Sequence, residues 1–202
     1  TSTVFWRNTQ ADGGKWEAGM RELSLNMLDI AQNSIAAGAT LVTLTVDCES
    51  AADRLTLTVE DNGRGMTAEQ LARVRDPFFT TRTTRKVGMG IPLFRMAAEM
   101  AGGRLQIRSA PGAGTTVEAV FILSHIDRMP LGDMDGTVTA LIRMNPQIDF
   151  RYVFTADGRS AQTDTRQLRE ILGDVPLDTP EVMEWIDGYI REQSAAIRPE
   201  GI

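Results

Sequence analysis

The stretch Arg54-Leu55-Thr56-Leu57-Thr58-Val59-Glu60 alternates apolar and polar residues without a break and runs directly into Asp61-Asn62-Gly63-Arg64-Gly65-Met66. A period of two specifies a strand with one buried face. Two glycines just past its end specify a backbone that passes where a Cβ would collide. Whatever fold this chain adopts must therefore hold Asp61 at a strand end, where pockets form. A buried carboxylate there accepts from the exocyclic amine of adenine and repels the O6 acceptor of guanine, so it selects one purine over the other. Taken alone, Asp-Asn-Gly is also an ordinary turn.

Upstream, Leu23, Met27, Ile30, Ala31, Ser34 and Ile35 recur at three- and four-residue steps, and this spacing predicts a helix over 21–37 with one buried face. Asn26, Asp29 and Asn33 recur at similar steps and form a polar stripe beside it. A neutral amide oxygen suits a hard cation such as Mg2+ at Asn33, and a carboxylate one turn away at Asp29 can orient or deprotonate a nucleophile. A merely solvated helix face is the plainer alternative.

Downstream, Gly88-Met89-Gly90 precedes Ile91-Pro92-Leu93-Phe94. Pro92 suits a first helical turn, where a missing N–H costs nothing, and the free amides of such a turn favour phosphate. Between the motifs, Asp76-Pro77-Phe78-Phe79-Thr80-Thr81-Arg82-Thr83-Thr84-Arg85-Lys86 lacks periodicity and carries three cations and four threonines. That composition reads as a lid over phosphates, with Phe79, Thr80, Thr81, Arg82, Arg85 and Lys86 as nucleotide-binding candidates, or as a solvated basic loop. Taken together, the motifs describe a pocket for ATP and Mg2+. Its binding residues would be Asn26, Asn33, Asp61, Gly63, Gly65, Met66, Gly88, Met89, Gly90 and Ile91, together with those of the lid. Asp29 is the candidate catalytic group.

In this order and placement the motifs resemble the GHKL superfamily, whose ATP-binding fold is shared by sensor histidine kinases, type II topoisomerases, mismatch-repair ATPases and ninety-kilodalton heat-shock chaperones. The resemblance covers residues 20–123. It implies that Asn33 is the magnesium-binding asparagine, Asp61 the adenine-binding aspartate, Gly63 and Gly65 the glycines of its box, and Gly88 and Gly90 a second glycine box. The segment from Asp76 to Thr81 resembles the phenylalanine box of histidine kinases, and Gly112-Ala113-Gly114-Thr115-Thr116 the turn and threonine near the end of that domain, which implies Thr116 as a further binding residue. The kinase branch is the nearer relative. Where Asp29 stands, the hydrolysing branches commonly have glutamate and the kinases often asparagine. A carboxylate on a side chain one methylene shorter implies slow turnover, or activity awaiting a partner.

The implied architecture is α+β, a two-layer sandwich of a mixed sheet with helices on one face, plus a small C-terminal α+β extension. Hairpins are expected over 41–48 with 54–60 and over 104–109 with 115–123, and helices over 67–74 and 91–101. Residues 1–19 read as an N-terminal extension, 20–124 as the ATP-binding domain and 125–202 as an appendage. In the appendage a helix is expected over 133–144, a hairpin over 148–165 turning at Asp157-Gly158, and two further helices. The last of these starts after Thr179-Pro180-Glu181, with Met183, Ile186, Ile190 and Ile197 as its apolar stripe. His125-Ile126-Asp127-Arg128-Met129-Pro130 matches residues of the histidine-kinase phosphoacceptor box, but it follows a strand and reads as a connector.

The 202 residues are 42% hydrophobic, with net charge −6 and an isoelectric point near 4.9. The acidic balance argues against nonspecific nucleic-acid binding. Cys48 is the single cysteine, which excludes an intrachain disulfide and leaves too few soft ligands for zinc or iron–sulfur. With no long apolar run or signal peptide, a cytoplasmic protein without a membrane span is expected. No phosphoacceptor hairpin is recognisable, so the resemblance implies regulation or signalling by slow hydrolysis or by phosphotransfer to a protein partner, with a homodimer also open. An ATP sensor that switches partner affinity with little chemistry is the alternative. The whole chain also resembles small stand-alone ATP-binding proteins of anaerobic bacteria, some encoded near iron-only hydrogenase components, which implies a redox enzyme or its regulator as partner.

Overall fold

In the computed structural model, residues 22–75 and 90–199 are described; Phe79, Thr80, Thr81, Arg82, Arg85, Lys86, Gly88 and Met89 lie outside them, as does the N-terminal extension. The expected helix is α1 (Leu23–Ala36). Strands β1 (Leu41–Glu49) and β2 (Arg54–Asp61) follow as an antiparallel pair. A short 3₁₀ turn joins them and ends at Asp53, whose φ of +50° lets the chain reverse. Next come α2 (Ala68–Arg75), α3 (Gly90–Met100), β3 (Arg104–Ser109) and β4 (Thr115–Ile122). The C-terminal part supplies α4 (Met134–Met144), β5 (Asp149–Ala156), β6 (Arg159–Asp164), α5 (Thr165–Leu172) and α6 (Pro180–Ala195).

All six strands form one sheet in the order β3-β4-β2-β1-β5-β6. It is mixed because β5 runs parallel to β1, while the other neighbours are antiparallel. The alternation legible in the sequence sets its two faces. Val42, Leu44, Val46 and Cys48 of β1, Leu55, Leu57 and Val59 of β2, and Val117, Ala119 and Phe121 of β4 are buried. The threonines between them line the other face. Phe150, Tyr152, Phe154 and Ala156 continue the buried face into β5, so 149–164 lengthen the same sheet. Helices cover that face, with α1 over β1 and β2, α3 over β3 and β4, and α4 wedged against α1, β5 and α6. The chain is thus an α+β two-layer structure.

Four helices start in different ways. Asp133 caps α4 by accepting from the Gly136 N–H, Asp164 caps α5 by accepting from the Arg166 N–H, and Pro180 opens α6. No side chain caps α1. Instead its N–H groups at Leu23 and Ser24 donate to the carbonyls of Pro130 and Leu131 at 3.0 and 2.9 Å, so the connector before α4 satisfies them. Gly132 makes that approach possible, because a Cβ there would lie 2.3 Å from Glu22 Oε2.

Behind this joint lies a buried polar cluster. Asp135 of α4 accepts from Tyr152 Oη, Ser194 Oγ and Arg198 Nη2 at 3.2, 2.9 and 2.9 Å, and the Arg198 guanidinium sits 5.4 Å from the centre of the Phe154 ring. Burial, with the adjacent Asp135 charge, pushes the Tyr152 hydroxyl well above its usual range, so it stays a donor. Met183, Ile186 and Ile190 of α6 are buried as well. His125 sits in the turn after β4, where its Nδ1 accepts from the Asp127 N–H at 3.1 Å, so it is not on a helix.

Candidate functional site

Period-two alternation carries Asp61, the last residue of β2, onto the helix-covered face with Leu55, Leu57 and Val59, and it is 8% exposed. A carboxylate so enclosed needs partners. Ser34 of α1 donates to its Oδ2 at 2.7 Å and the Gly63 N–H donates to its Oδ1 at 2.8 Å. Each oxygen keeps a further acceptor position.

The glycines after β2 make close contacts within the chain. Gly65 has φ +65°, and a Cβ on it would lie 1.9 Å from the Ala110 carbonyl oxygen. This brings 64–66 against the turn between β3 and β4, where the Gly112 N–H donates to the Arg64 carbonyl at 2.8 Å and the Met66 N–H to Ser109 Oγ at 2.9 Å. Gly114 closes the same seam, since a Cβ there would meet the Asp61 carbonyl oxygen at 1.8 Å. Asn62 turns away: its Oδ1 accepts from the N–H groups of Thr40 and Leu41 and its Nδ2 donates to Thr40 Oγ1, which fixes the start of β1.

On α1, Asp29 and Asn33 are half-buried. Asp29 lies against the start of α3, where a Cβ on Gly90 would come within 3.1 Å of Asp29 Cβ and 3.3 Å of its Oδ2. The catalytic candidate and the second glycine box therefore meet. Burial raises the Asp29 carboxyl above its ordinary value, with no opposing charge from the described residues, so it holds a proton more readily than a free aspartate. Ile91 packs half-buried against the core.

Two expected residues stand elsewhere. Thr116 pairs with Glu60 and so faces the other side of the sheet, whereas Thr115 pairs with Asp61 and shares its face. Thr115 Oγ1 is 2.9 Å from Ser109 Oγ, which also donates to the Gly114 carbonyl. The signal was available: Val117, Ala119 and Phe121 point inward, and counting back by two reaches Thr115. Ser34 was read only as part of the apolar face, and its bond to Asp61 is long-range. Asn26 is fully enclosed, so no ligand can touch it unless its neighbours move, and its amide has no hydrogen-bond partner.

Residues 17–125 match the family model described as histidine kinase-, DNA gyrase B-, and HSP90-like ATPase. Among curated proteins, the chain is similar to the sensor protein kinase FleS of Pseudomonas aeruginosa, 39% identical over 128 residues, which are 63% of this chain and 31% of that protein. It is also similar to the sensor histidine kinase ZraS of Salmonella typhi, 32% identical over 53% of this chain and 22% of the relative. The chain thus spans under a third of the length of these relatives. Among solved structures, it is similar to the Aquifex aeolicus MutL ATPase domain complexed with ADP, at 13% identity, 90% of this chain, 100% of that one and a TM-score of 0.46. The histidine kinase domain of an Erythrobacter litoralis blue-light activated kinase matches at 21% identity, 54% of this chain, 48% of that one and a TM-score of 0.38.

Proposed function

The chain belongs to the family of histidine kinase-, DNA gyrase B-, and HSP90-like ATPases, and on that premise we propose that it binds Mg-ATP between α1, the end of β2 and the start of α3. The observation that carries this reading is the enclosed Asp61 carboxylate, held at both oxygens yet with acceptor capacity left for an adenine amine. Gly63 and Gly65 let the backbone run flat beside the base. The half-buried Asn33 amide oxygen suits one position on Mg2+, whose remaining ligands would be phosphate oxygens and water. A neutral amide oxygen is a hard donor, which fits Mg2+. Bound Mg2+ would neutralise phosphate charge. Asp29 would orient the nucleophile or take its proton, and the amides opening α3 beside it would receive phosphate.

In the proposed activity, ATP is consumed slowly in regulation or signalling, by hydrolysis or by transfer to a protein partner. Arg82, Arg85 and Lys86 would cover the phosphates, and a redox enzyme or its regulator is our candidate partner. A cytoplasmic setting suits the buried, lone Cys48, and no helix among the described residues is long and apolar enough to cross a membrane. Nucleotide sensing without turnover is the second reading, favoured by the shorter reach of an aspartate at position 29. Incubation with gamma-labelled Mg-ATP, alone and with lysate, separates the three. Label on protein that vanishes in Asp29→Asn means a kinase, and Asp29-dependent free phosphate alone means an ATPase. Binding with neither product leaves the sensor.

A further inference from the structure

Asn26 is the one side chain among the described residues with both amide atoms buried and unpartnered. Leaving a buried amide unsatisfied is costly, so a residue of this kind calls for an account. The apolar positions around it on α1, Leu23, Met27 and Ile30, are buried and complete the core without it. Its helical position supplies the account. Three residues on, one turn up the same stripe, stands Asp29, a half-buried carboxylate that also has no hydrogen-bond partner among the described residues. Residues three apart on a helix are surface neighbours, about 5 to 6 Å between Cβ atoms. A donor lacking an acceptor thus lies beside an acceptor lacking a donor.

We propose that Asn26 is a positioning residue for Asp29, its buried amide restraining the carboxylate through one enclosed water. Such a water needs two to four polar partners, and the Asn26 Nδ2 and Oδ1 and the Asp29 carboxylate supply three. The start of α3 also packs on Asp29, since a Cβ on Gly90 would come within 3.1 Å of its Cβ and 3.3 Å of its Oδ2. The restraint offsets the shorter reach of an aspartate, because a side chain fixed at one orientation loses less rate than one free to swing. Asn26 touches no substrate in this role. The catalytic part of the proposal rests on Asp29 acting in ATP turnover; the Asn26–Asp29 coupling itself does not.

The test is a double-mutant cycle in denaturant unfolding of the nucleotide-free protein, using Asn26→Leu, Asp29→Ala and the pair, with Asn26→Ala in place of Asn26→Leu if the latter fails to fold. Coupled residues give non-additive effects. We expect the second substitution to change the midpoint much less in the presence of the first. In turnover, Asn26→Leu should lower kcat roughly 10- to 100-fold while the ATP Kd stays within about twofold of the parent, and Asn26→Ser, which keeps a small donor, should recover part of the loss. Additive unfolding effects, with kcat and Kd of Asn26→Leu both at parental values, would overturn the proposal and leave Asn26 as a solitary core amide. A parent protein that binds no ATP would sink the nucleotide reading instead, while the unfolding cycle still decides the coupling.

Discussion

Ser34 of α1 and Asp61 of β2 are 27 residues apart in the chain, and their side chains meet at 2.7 Å between Oγ and Oδ2. This bond fixes the helix to the strand end at the point where the candidate nucleotide site begins. It also leaves Asp61 Oδ1 to the Gly63 N–H, so the carboxylate plane is set from two directions.

Replacing Asp61 with asparagine keeps an acceptor for Gly63 but presents an amide N–H2 where a carboxylate oxygen stood. ATP affinity should fall by about 1 to 3 kcal/mol, the cost of an unpaired buried polar group. Calorimetric titration checks this, and an unchanged affinity would remove Asp61 from the site. Ser34→Ala should show a smaller loss of affinity together with reduced stability, because Asp61 keeps its backbone partner.

Asn33→Ala should separate metal from nucleotide. Its half-buried amide can serve Mg2+ without enclosing the base. Binding of Mg-ATP should weaken several-fold more than binding of ATP in EDTA; equal losses would argue against a ligand role.

Gly65→Ala tests the backbone seam independently of ligand. At φ +65° and with the Ala110 carbonyl oxygen 1.9 Å from the new Cβ, the turn between β3 and β4 must shift. Destabilisation of at least about 2 kcal/mol is expected, read as a lower urea midpoint. A parental midpoint would mean that the two loops do not pack as described.

Acid unfolding should report on Asp164. Its side chain accepts from the Arg166 guanidinium, which holds the carboxyl below the usual carboxylate range. A carboxyl depressed in the folded state contributes stability that is whole above its unfolded value of about 3.9 and is lost as pH falls through the folded value. The stability gap between the parent and Asp164→Asn should therefore be constant near neutral pH and shrink below about pH 4. A gap that persists unchanged to pH 2 would show that the cap to the Arg166 N–H, not charge, is what Asp164 provides.

How far the sequence reaches is clearest at Thr115 and Thr116. The strand, its alternation and its turn were all legible, and the register puts Thr115 rather than Thr116 on the face of Asp61. Asn26 shows a different limit. Its place on the polar stripe was right, but a stripe says nothing of depth, and packing closed over one of its three members while leaving the other two half open. The last helix stripe was legible too, since Met183, Ile186 and Ile190 are all buried. The helix packs on β6 of the preceding hairpin and also on α4, and the second contact joins segments that no local pattern relates.

The sequence alone determined what depends on near neighbours: the strand that delivers Asp61, the helix that carries Asp29 and Asn33, and the glycines that permit a tight turn. These follow from periodicity and from steric limits on single residues. The tertiary structure decided the Ser34–Asp61 bond, the parallel pairing of β5 with β1, the clasp of α1 by Pro130 and Leu131, and the enclosure of Asn26. Each joins segments far apart in the chain, and such contacts are selected by the shape and burial of the whole core rather than by any local pattern.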